Sequence, residues 1–246
     1  WLIYYPIEKW LAKYTDALIT INNEDYGLAK SKFQLRHNGK VYYVPGVGID
    51  LSQYDLPDGI REKKRAELGL KETDIVLISS GELNENKNNQ IIIQALSKLR
   101  HESLHYIICG TGSKYDELKK MTSDNGLDDY ILFLGYRNDI KELYRASDIF
   151  VMPSLREGLS RSIMEAMASG LPCVVSNIRG NVDLIRNKKG GFLCDPRNVS
   201  SFAEAIKDCV SIYKNEFGQF NKSEVKKFDL QTVVEKLNEI YSAVII

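Results

Sequence analysis

Apolar and polar positions follow two different periods along this chain. From Asp74 onward, short apolar runs bounded by turn-forming residues read as strands: Ile75 to Ser79, His105 to Cys109, Tyr130 to Leu134, Ile149 to Met152, Cys173 to Ser176 and Phe192 to Cys194. Between them the period becomes that of a helix. Ile91, Ile92, Ala95, Leu96 and Leu99 form one apolar stripe and Phe202, Ala205, Ile206 and Cys209 another, each suited to cover a sheet face. Six strands separated by helices predict an α/β fold with a doubly wound, Rossmann-like parallel sheet. The residues after five of the strands, Gly81, Gly110, Gly135, Ser154 and Asn177, are small or turn-forming, and in open α/β sheets the ligand crevice lies at the carboxyl ends of the strands. Five loops are therefore expected to line one site.

Residues 1 to 44 have a different layout. The pattern predicts an amphipathic helix from Ile7 to Tyr14 with Pro6 near its start, a strand from Ala17 to Ile21, and a helix from Glu24 to Leu35. Val41 to Val44 then leads into Pro45-Gly46-Val47-Gly48-Ile49-Asp50, and a last helix is expected from Leu230 to Ala243. There is no internal repeat and no low-complexity segment.

The 246 residues are 43% hydrophobic, enough for a sizeable core, and Lys plus Arg equals Asp plus Glu at 33 each. That balance gives no global charge to favour nucleic acid or an anionic membrane. Cys109, Cys173, Cys194 and Cys209 lack metal-binding or redox spacing and read as buried, reduced thiols, which points to a cytoplasmic protein. No stretch approaches the ~20 apolar residues of a membrane span, and no signal-peptide pattern is read in these residues.

Candidate chemistry concentrates in the run Pro153 to Pro172. Glu157 and Glu165 stand eight positions apart, the first in a loop after an apolar strand and the second in a helix. Ser160 is placed to cap that helix, Ile163, Met164 and Met167 form its apolar stripe, and Gly170 with Pro172 closes it. The open backbone N–H groups of about residues 160 to 162 form a helix N-terminus that suits a phosphate. A second candidate is the loop Gly81-Glu82-Leu83-Asn84-Glu85-Asn86-Lys87-Asn88. Cys109-Gly110-Thr111-Gly112-Ser113 lacks the third glycine of a dinucleotide fingerprint and reads as a plain strand-to-helix turn. There is no Asp-x-Asp, and His37, His101 and His105 have no ligand spacing, so neither a metal nor another cofactor is expected. The runs Arg61 to Arg65 and Lys226 to Lys227 read as solvated helix faces, Asn138 as a helix cap, and His105 as a packed or edge-strand residue.

The Glu157 to Pro172 run resembles the nucleotide-binding half of a family 4 glycosyltransferase, a retaining enzyme of GT-B architecture in which two Rossmann-like domains face a cleft. The Gly-Glu-Leu-Asn form of the Gly81 loop is similar to that of exopolysaccharide and capsule members. The resemblance implies that Glu165 holds the donor ribose and that Glu157 lies against the donor sugar and reacting centre. It implies donor contacts from Gly81, Tyr136, Arg137, Gly158, Leu159, Ser160 and Ser162, and leaves Gly180 or Asn181 at the sugar's border. Members commonly carry Arg at the position of Glu82 and Lys at that of Lys87, two cations clamping a diphosphate. Here Lys87 fits and Glu82 does not, so Arg161 is assigned the second cation.

Taken with the pattern, the resemblance gives residues 1–44 as the end of an N-terminal, acceptor-side domain, 45–50 as a hinge in which Gly46 replaces the usual Asn, 51–229 as the nucleotide-sugar domain, and 230–246 as a helix packing back. The expected activity is metal-independent transfer of a hexose from a nucleoside diphosphate sugar to a saccharide, lipid-linked acceptor in surface polysaccharide assembly. Contact with the inner face of the cell membrane would come through the N-terminal domain. This chain alone is expected to bind donor weakly and transfer nothing, and Ile7, Trp10, Leu11 and Tyr14 to form an uncovered, self-associating face. Two alternatives stay open, a nucleotide-sugar epimerase of the same architecture and a non-catalytic nucleotide-sugar-binding fragment.

Overall fold

The computed structural model describes residues 4–99, 103–211 and 214–244. In chain order its elements are α1 (Tyr4–Leu11), β1 (Ala17–Thr20), α2 (Asn23–Lys32), β2 (Lys40–Tyr43), α3 (Ile60–Glu67), β3 (Ile75–Ser80), α4 (Gln90–Leu99), β4 (Leu104–Cys109), α5 (Tyr115–Asp124), β5 (Ile131–Gly135), α6 (Ile140–Ala146), β6 (Ile149–Met152), α7 (Arg161–Ala168), β7 (Cys173–Ser176), α8 (Asn181–Leu184), β8 (Gly191–Cys194), α9 (Val199–Ser211), α10 (Lys214–Glu224) and α11 (Leu230–Val244). They form two compact units: the segment up to Asp50 together with the segment from Lys227, and Leu51–Lys226. Among the described residues, no helix is long and apolar enough to cross a membrane.

In the first unit, β1 and β2 pair in parallel, and Val233 and Ile240 of α11 bury themselves with Val44 against Ile19 and Tyr42. The final segment is tied to the Pro45–Asp50 run by Ile49 N–H donating to Phe228 O and Leu230 N–H to Ile49 O. Gly48, at φ +76°, is required there, because a Cβ would meet Leu230 Cα at 2.9 Å. Gly46 is left-handed at φ 74°, a conformation that Asn also tolerates. The first helix starts at Tyr4 and passes into a 3-10 turn at Ala12, leaving Ile7, Trp10, Leu11 and Tyr14 exposed. The second stops at Lys32 rather than Leu35, because Phe33 turns to extended backbone.

The second unit is built on one parallel sheet in the order β5-β4-β3-β6-β7-β8. Its strands match the predicted runs within a residue at each end. On one face α4 buries Ile91, Ile92, Ala95 and Leu96, and α9 buries Phe202, Ala205, Ile206 and Cys209, in a single cluster with Leu77, Ile108, Val151 and Val174 from the strands. All four cysteines are buried and none forms a disulfide; burial pushes the Cys109 thiol up to about 12 and that of Cys194 to about 11. His105 is packed but not at an edge, since β4 lies between β5 and β3; its Nε2 is 3.5 Å from Asp74 Oδ2. Burial lowers its pKa, outweighing the raising effect of Asp74. His101 lies outside the described residues.

The charge run on α3 is the main correction to the sequence reading. Arg65 is fully buried, and Lys64 nearly so. Arg65 Nη2 donates to Asp148 Oδ2 at 2.7 Å, Nε to Ala146 O at 2.9 Å, and Nη1 to the carbonyls of Lys71, Glu72 and Asp74. Arg61 takes the other oxygen of Asp148 at 2.7 Å, and Val76 N–H donates to Asp148 Oδ2 at 2.8 Å. The guanidinium is solvated by protein oxygens in place of water, and this makes its burial tolerable. Lys64 Nζ meets Asp139, Glu67 and Glu142 at 2.7, 2.8 and 3.0 Å, and Arg137 joins through Asp139 and Glu67. Asp139 is thereby consumed in ion pairs. It occupies the N-cap position of α6 without a capping bond, and Asn138 does not cap the helix.

Removing one partner of the buried pair leaves an uncompensated charge. Asp148→Ala should cost about 3–5 kcal/mol, seen as a lower urea midpoint with little change in slope. A second prediction concerns acid. The hydrogen bond from Arg137, then that from Lys64, holds the Asp139 carboxyl well below its ordinary 3.8, and Lys64 lowers Glu67. Groups with depressed folded pKa values stabilise the fold above their ordinary values, and that stabilisation is lost as pH falls from about 4 toward the folded values. Thermal melts of the native protein should therefore fall more steeply below pH 4 than those of Asp139→Asn, and parallel curves would remove the cluster from the acid response.

Candidate functional site

The strand order sets the position of the site. From β3 the chain steps outward to β4 and β5, then crosses back to place β6 on the other side of β3. The loops leaving the carboxyl ends of β3 and β6 therefore diverge and open a crevice between them. The β3 loop contains a 3-10 turn, Glu85–Lys87, capped by Asn84, whose side chain accepts from Lys87 N–H. The β6 loop runs from Pro153 to Ser160. Lys87 Nζ lies 2.7 Å from Glu157 Oε1, both groups largely shielded from solvent. Backbone and amide bonds reinforce the link: Leu155 N–H donates to Asn86 O, Asn86 Nδ2 to Arg156 O, and Asn88 Nδ2 to Pro153 O and Pro196 O. Asn88 takes φ 53°, one of the few non-glycine left-handed residues, and this turns its amide into the loops.

Ser160 caps α7 as the sequence suggests, its hydroxyl accepting from Ile163 N–H at 3.4 Å. Ile163, Met164 and Met167 are buried, and Gly170, left-handed at φ 77°, ends the helix. Glu165, one turn in, stands at the wall of a cavity of about 390 Å³ also lined by Ser80, Gly81, Thr111, Tyr136 and Arg137. Its Oε1 accepts from Arg161 Nε at 3.0 Å, and Tyr144 OH donates to Oε2 at 3.4 Å. Gly81 lies beneath the Lys87 stem, where a Cβ would meet Lys87 Cε at 3.3 Å, so the cavity and the Lys87–Glu157 pair adjoin.

The structure thus brings Gly81, Tyr136, Arg137 and Glu165 to one cavity, with Lys87 and Glu157 beside it. Tyr136 is exposed, while Arg137 is already engaged by Asp139 and Glu67. Ser160 and Ser162 hydroxyls are 3.0 Å apart and both face Met152 Sδ. Gly158 lies against Gly180, where a Cβ would meet Gly158 O at 2.1 Å, and Leu159 follows it in the loop. Arg161, exposed, is spent on Glu165 rather than standing open to a second ligand. Glu82 accepts from Asn84 Nδ2 at 2.9 Å. Gly110 and Gly112 gain a structural role: Cβ atoms there would strike Gly81 O at 1.8 Å and Leu83 O at 2.3 Å. Asn181 is buried, its amide donating to Ser176 O. Among the described residues, no group of three or more His, Cys, Asp or Glu is placed to hold a metal ion. Sequence reasoning missed Tyr144 and Ser80, whose hydroxyls are 2.5 Å apart, Ser80 lining this cavity and Tyr144 fully buried. Tyr144 lies in a short helix between Leu143 and Arg145, and nothing local in the sequence marks its phenol.

Comparison with known proteins adds to this geometry. The chain is 33% identical over 250 residues to EpsD of Bacillus subtilis (strain 168), covering 99% of this chain and 65% of that protein. It is 35% identical over 210 residues to the UDP-Gal:alpha-D-GlcNAc-diphosphoundecaprenol alpha-1,3-galactosyltransferase of Escherichia coli, covering 83% of this chain and 54% of that enzyme. The chain thus spans less than two thirds of either relative. Among solved structures, Anabaena Alr3699/HepE in complex with UDP superposes with a TM-score of 0.88 at 22% identity, over 97% of this chain and 67% of that one. A glycosyltransferase from Rickettsia africae ESF-5 superposes at 0.87 and 21%, over 98% and 67%. These neighbours are GT-B glycosyltransferases, and at such identities the likeness establishes the fold. The model of the family described as glycosyl transferases group 1 matches residues 60–222, well over half of the sequence, and the chain belongs to that family.

Proposed function

We propose that the protein is a retaining, metal-independent hexosyltransferase that takes its sugar from a nucleoside diphosphate sugar and delivers it to a saccharide, lipid-linked acceptor in surface polysaccharide synthesis. The observation that carries the reading is the cation and carboxylate set at the strand crossover: Lys87 paired with Glu157 beside a cavity walled by Glu165. The E. coli relative, named for a UDP-galactose donor and a diphosphoundecaprenol-linked acceptor, supports both substrate classes, and the neighbour solved with UDP and with UDP-glucose supports the donor. The family membership supports the transferase class.

In this reading Glu165 accepts from the two ribose hydroxyls, while Tyr136, Arg137 and Gly81 border the nucleoside. Gly158, Leu159, Ser160 and Ser162 present the loop and the N-terminus of α7 to the diphosphate, with Lys87 as the cation. Glu157 faces the sugar once the diphosphate replaces it as the partner of Lys87. Arg161 supplies a second cation on release from Glu165, an exchange of small cost because exposed ion pairs contribute little. Transfer breaks the bond from the anomeric carbon to the diphosphate oxygen and forms one to the acceptor oxygen on the same face. The acceptor proton passes to the leaving phosphate. Charge develops on that phosphate, and Lys87, Arg161 and the helix N-terminus are arranged to stabilise it.

Calorimetric titration of the protein with uridine, guanosine and adenosine diphosphates tests the reading. Glu165→Ala should weaken the best binder by about 2 kcal/mol; unchanged affinity would remove Glu165 from the site. In an enzyme extended to the length of its relatives, Lys87→Ala and Arg161→Ala should each reduce kcat/KM by roughly ten- to hundred-fold, and less than additively together, since both act on one diphosphate. Turnover of that full-length enzyme should survive chelator, and loss restored by magnesium or manganese would contradict the metal-independent assignment.

A further inference from the structure

The Glu165 carboxylate is held from two sides of unequal strength. On the solvent side stands Arg161, two thirds exposed at 67% and separated by one helical turn. Pairs of that kind are screened by water and salt, and fix a side chain weakly. On the protein side stands Tyr144, which has no solvent access, and its ring meets Phe150 edge-on with centroids 5.9 Å apart. Tyr144 OH is 2.5 Å from Ser80 Oγ and 3.4 Å from Glu165 Oε2. An ionised carboxylate can only accept, so a bond between Tyr144 and Glu165 must carry the phenol proton. The phenol then accepts from Ser80, and the two hydroxyls form a chain directed at Glu165, each bond polarising the next.

We propose that Tyr144 and Ser80 are positioning residues that fix the Glu165 carboxylate for the ribose of a nucleoside diphosphate, an inference that rests on the role given to Glu165 above. Three elements meet at this point: Ser80 ends β3, Tyr144 lies on α6 and Glu165 on α7. The chain of hydroxyls therefore couples the carboxylate to the frame of the crossover itself. At 3.4 Å the last contact is long for an O–H···O bond. The ring is fixed by full burial, so it is the carboxylate, at the cavity wall, that has room to shorten the contact. Burial, reinforced by the neighbouring Glu165 charge, raises the Tyr144 phenol well above its ordinary value. It stays a donor across the physiological range, so the device does not switch with pH.

The test uses the ribose itself as the probe. Wild type, Tyr144→Phe, Ser80→Ala and Glu165→Ala proteins are titrated with whichever of uridine, guanosine and adenosine diphosphates binds tightest, and with its 2′,3′-dideoxy analogue. Tyr144→Phe keeps the ring against Phe150 and removes only the hydroxyl. It should lower affinity for the ribose form by about five- to tenfold and leave the dideoxy form within about twofold, with Ser80→Ala acting in the same direction. In a double variant with Glu165→Ala, the Tyr144→Phe effect should disappear. Tyr144→Phe and Ser80→Ala proteins that both match wild type on both ligands, or that lose both ligands equally, would overturn the positioning role. A wild type that does not distinguish the two forms would instead overturn the ribose role of Glu165, and this inference with it.

Discussion

Asp148 is the group on which the rest of the second unit depends. It has no solvent access, accepts from Arg65, Arg61 and the backbone of Val76, and sits at the entry to β6. Its own N–H donates to Val76 O, so the same residue opens the pairing of β6 with β3 that continues at Leu77↔Ile149 and Ile78↔Phe150. Replacing a buried ion pair by well-packed apolar groups is often close to neutral, but breaking one is costly. The stability argument for retaining it is therefore weak, and a specificity argument is stronger. A slip of one residue in this register would turn every side chain of β6 to the opposite face. It would also pull the carboxylate away from the guanidinium that needs it.

That register has consequences at the other ends of the same two strands. A few residues beyond them, Lys87 and Glu157 meet at 2.7 Å, and the loops are stitched by Asn86 and Asn88. Three cations around the crevice have internal partners: Lys87 with Glu157, Arg161 with Glu165, Arg137 with Asp139 and Glu67. An incoming diphosphate would exchange partners rather than meet bare cations. Such exchange favours a ligand whose negative charge grows during reaction, because stabilisation of the transition state beyond the ground state is what raises rate. The pairs differ in how readily they exchange. Arg161 is exposed and held by little, whereas Arg137 is clamped by two carboxylates and supports the cavity wall.

Much of this was legible in the sequence, and the illegible part has a common cause. The strands, the Ser160 cap, the buried stripe of α7 and its Gly170 stop are local signals, decided within a few residues by period, capping and turn chemistry. Glu62 and Lys63 face water as a run of charges on a short helix usually does, whereas Lys64 and Arg65 are buried against that expectation. Asp148 lies 83 positions from its partner Arg65, and no local rule connects them. The pairing of Lys87 with Glu157 spans 70 positions, and that of Tyr144 with Ser80 spans 64. Asn138 had the composition of a cap, but Asp139 beside it found stronger partners in Arg137 and Lys64, and the helix started without either. Local chemistry was readable, and chemistry assembled by the sheet was not.

The most direct test of the account is a crystal structure of the protein with a nucleoside diphosphate bound. The account predicts the diphosphate within hydrogen-bond distance of Lys87 Nζ and the N-terminus of α7, both ribose hydroxyls on the Glu165 carboxylate, and Glu157 parted from Lys87. A nucleotide bound away from the β3–β6 crevice, with the Lys87–Glu157 pair intact, would contradict it.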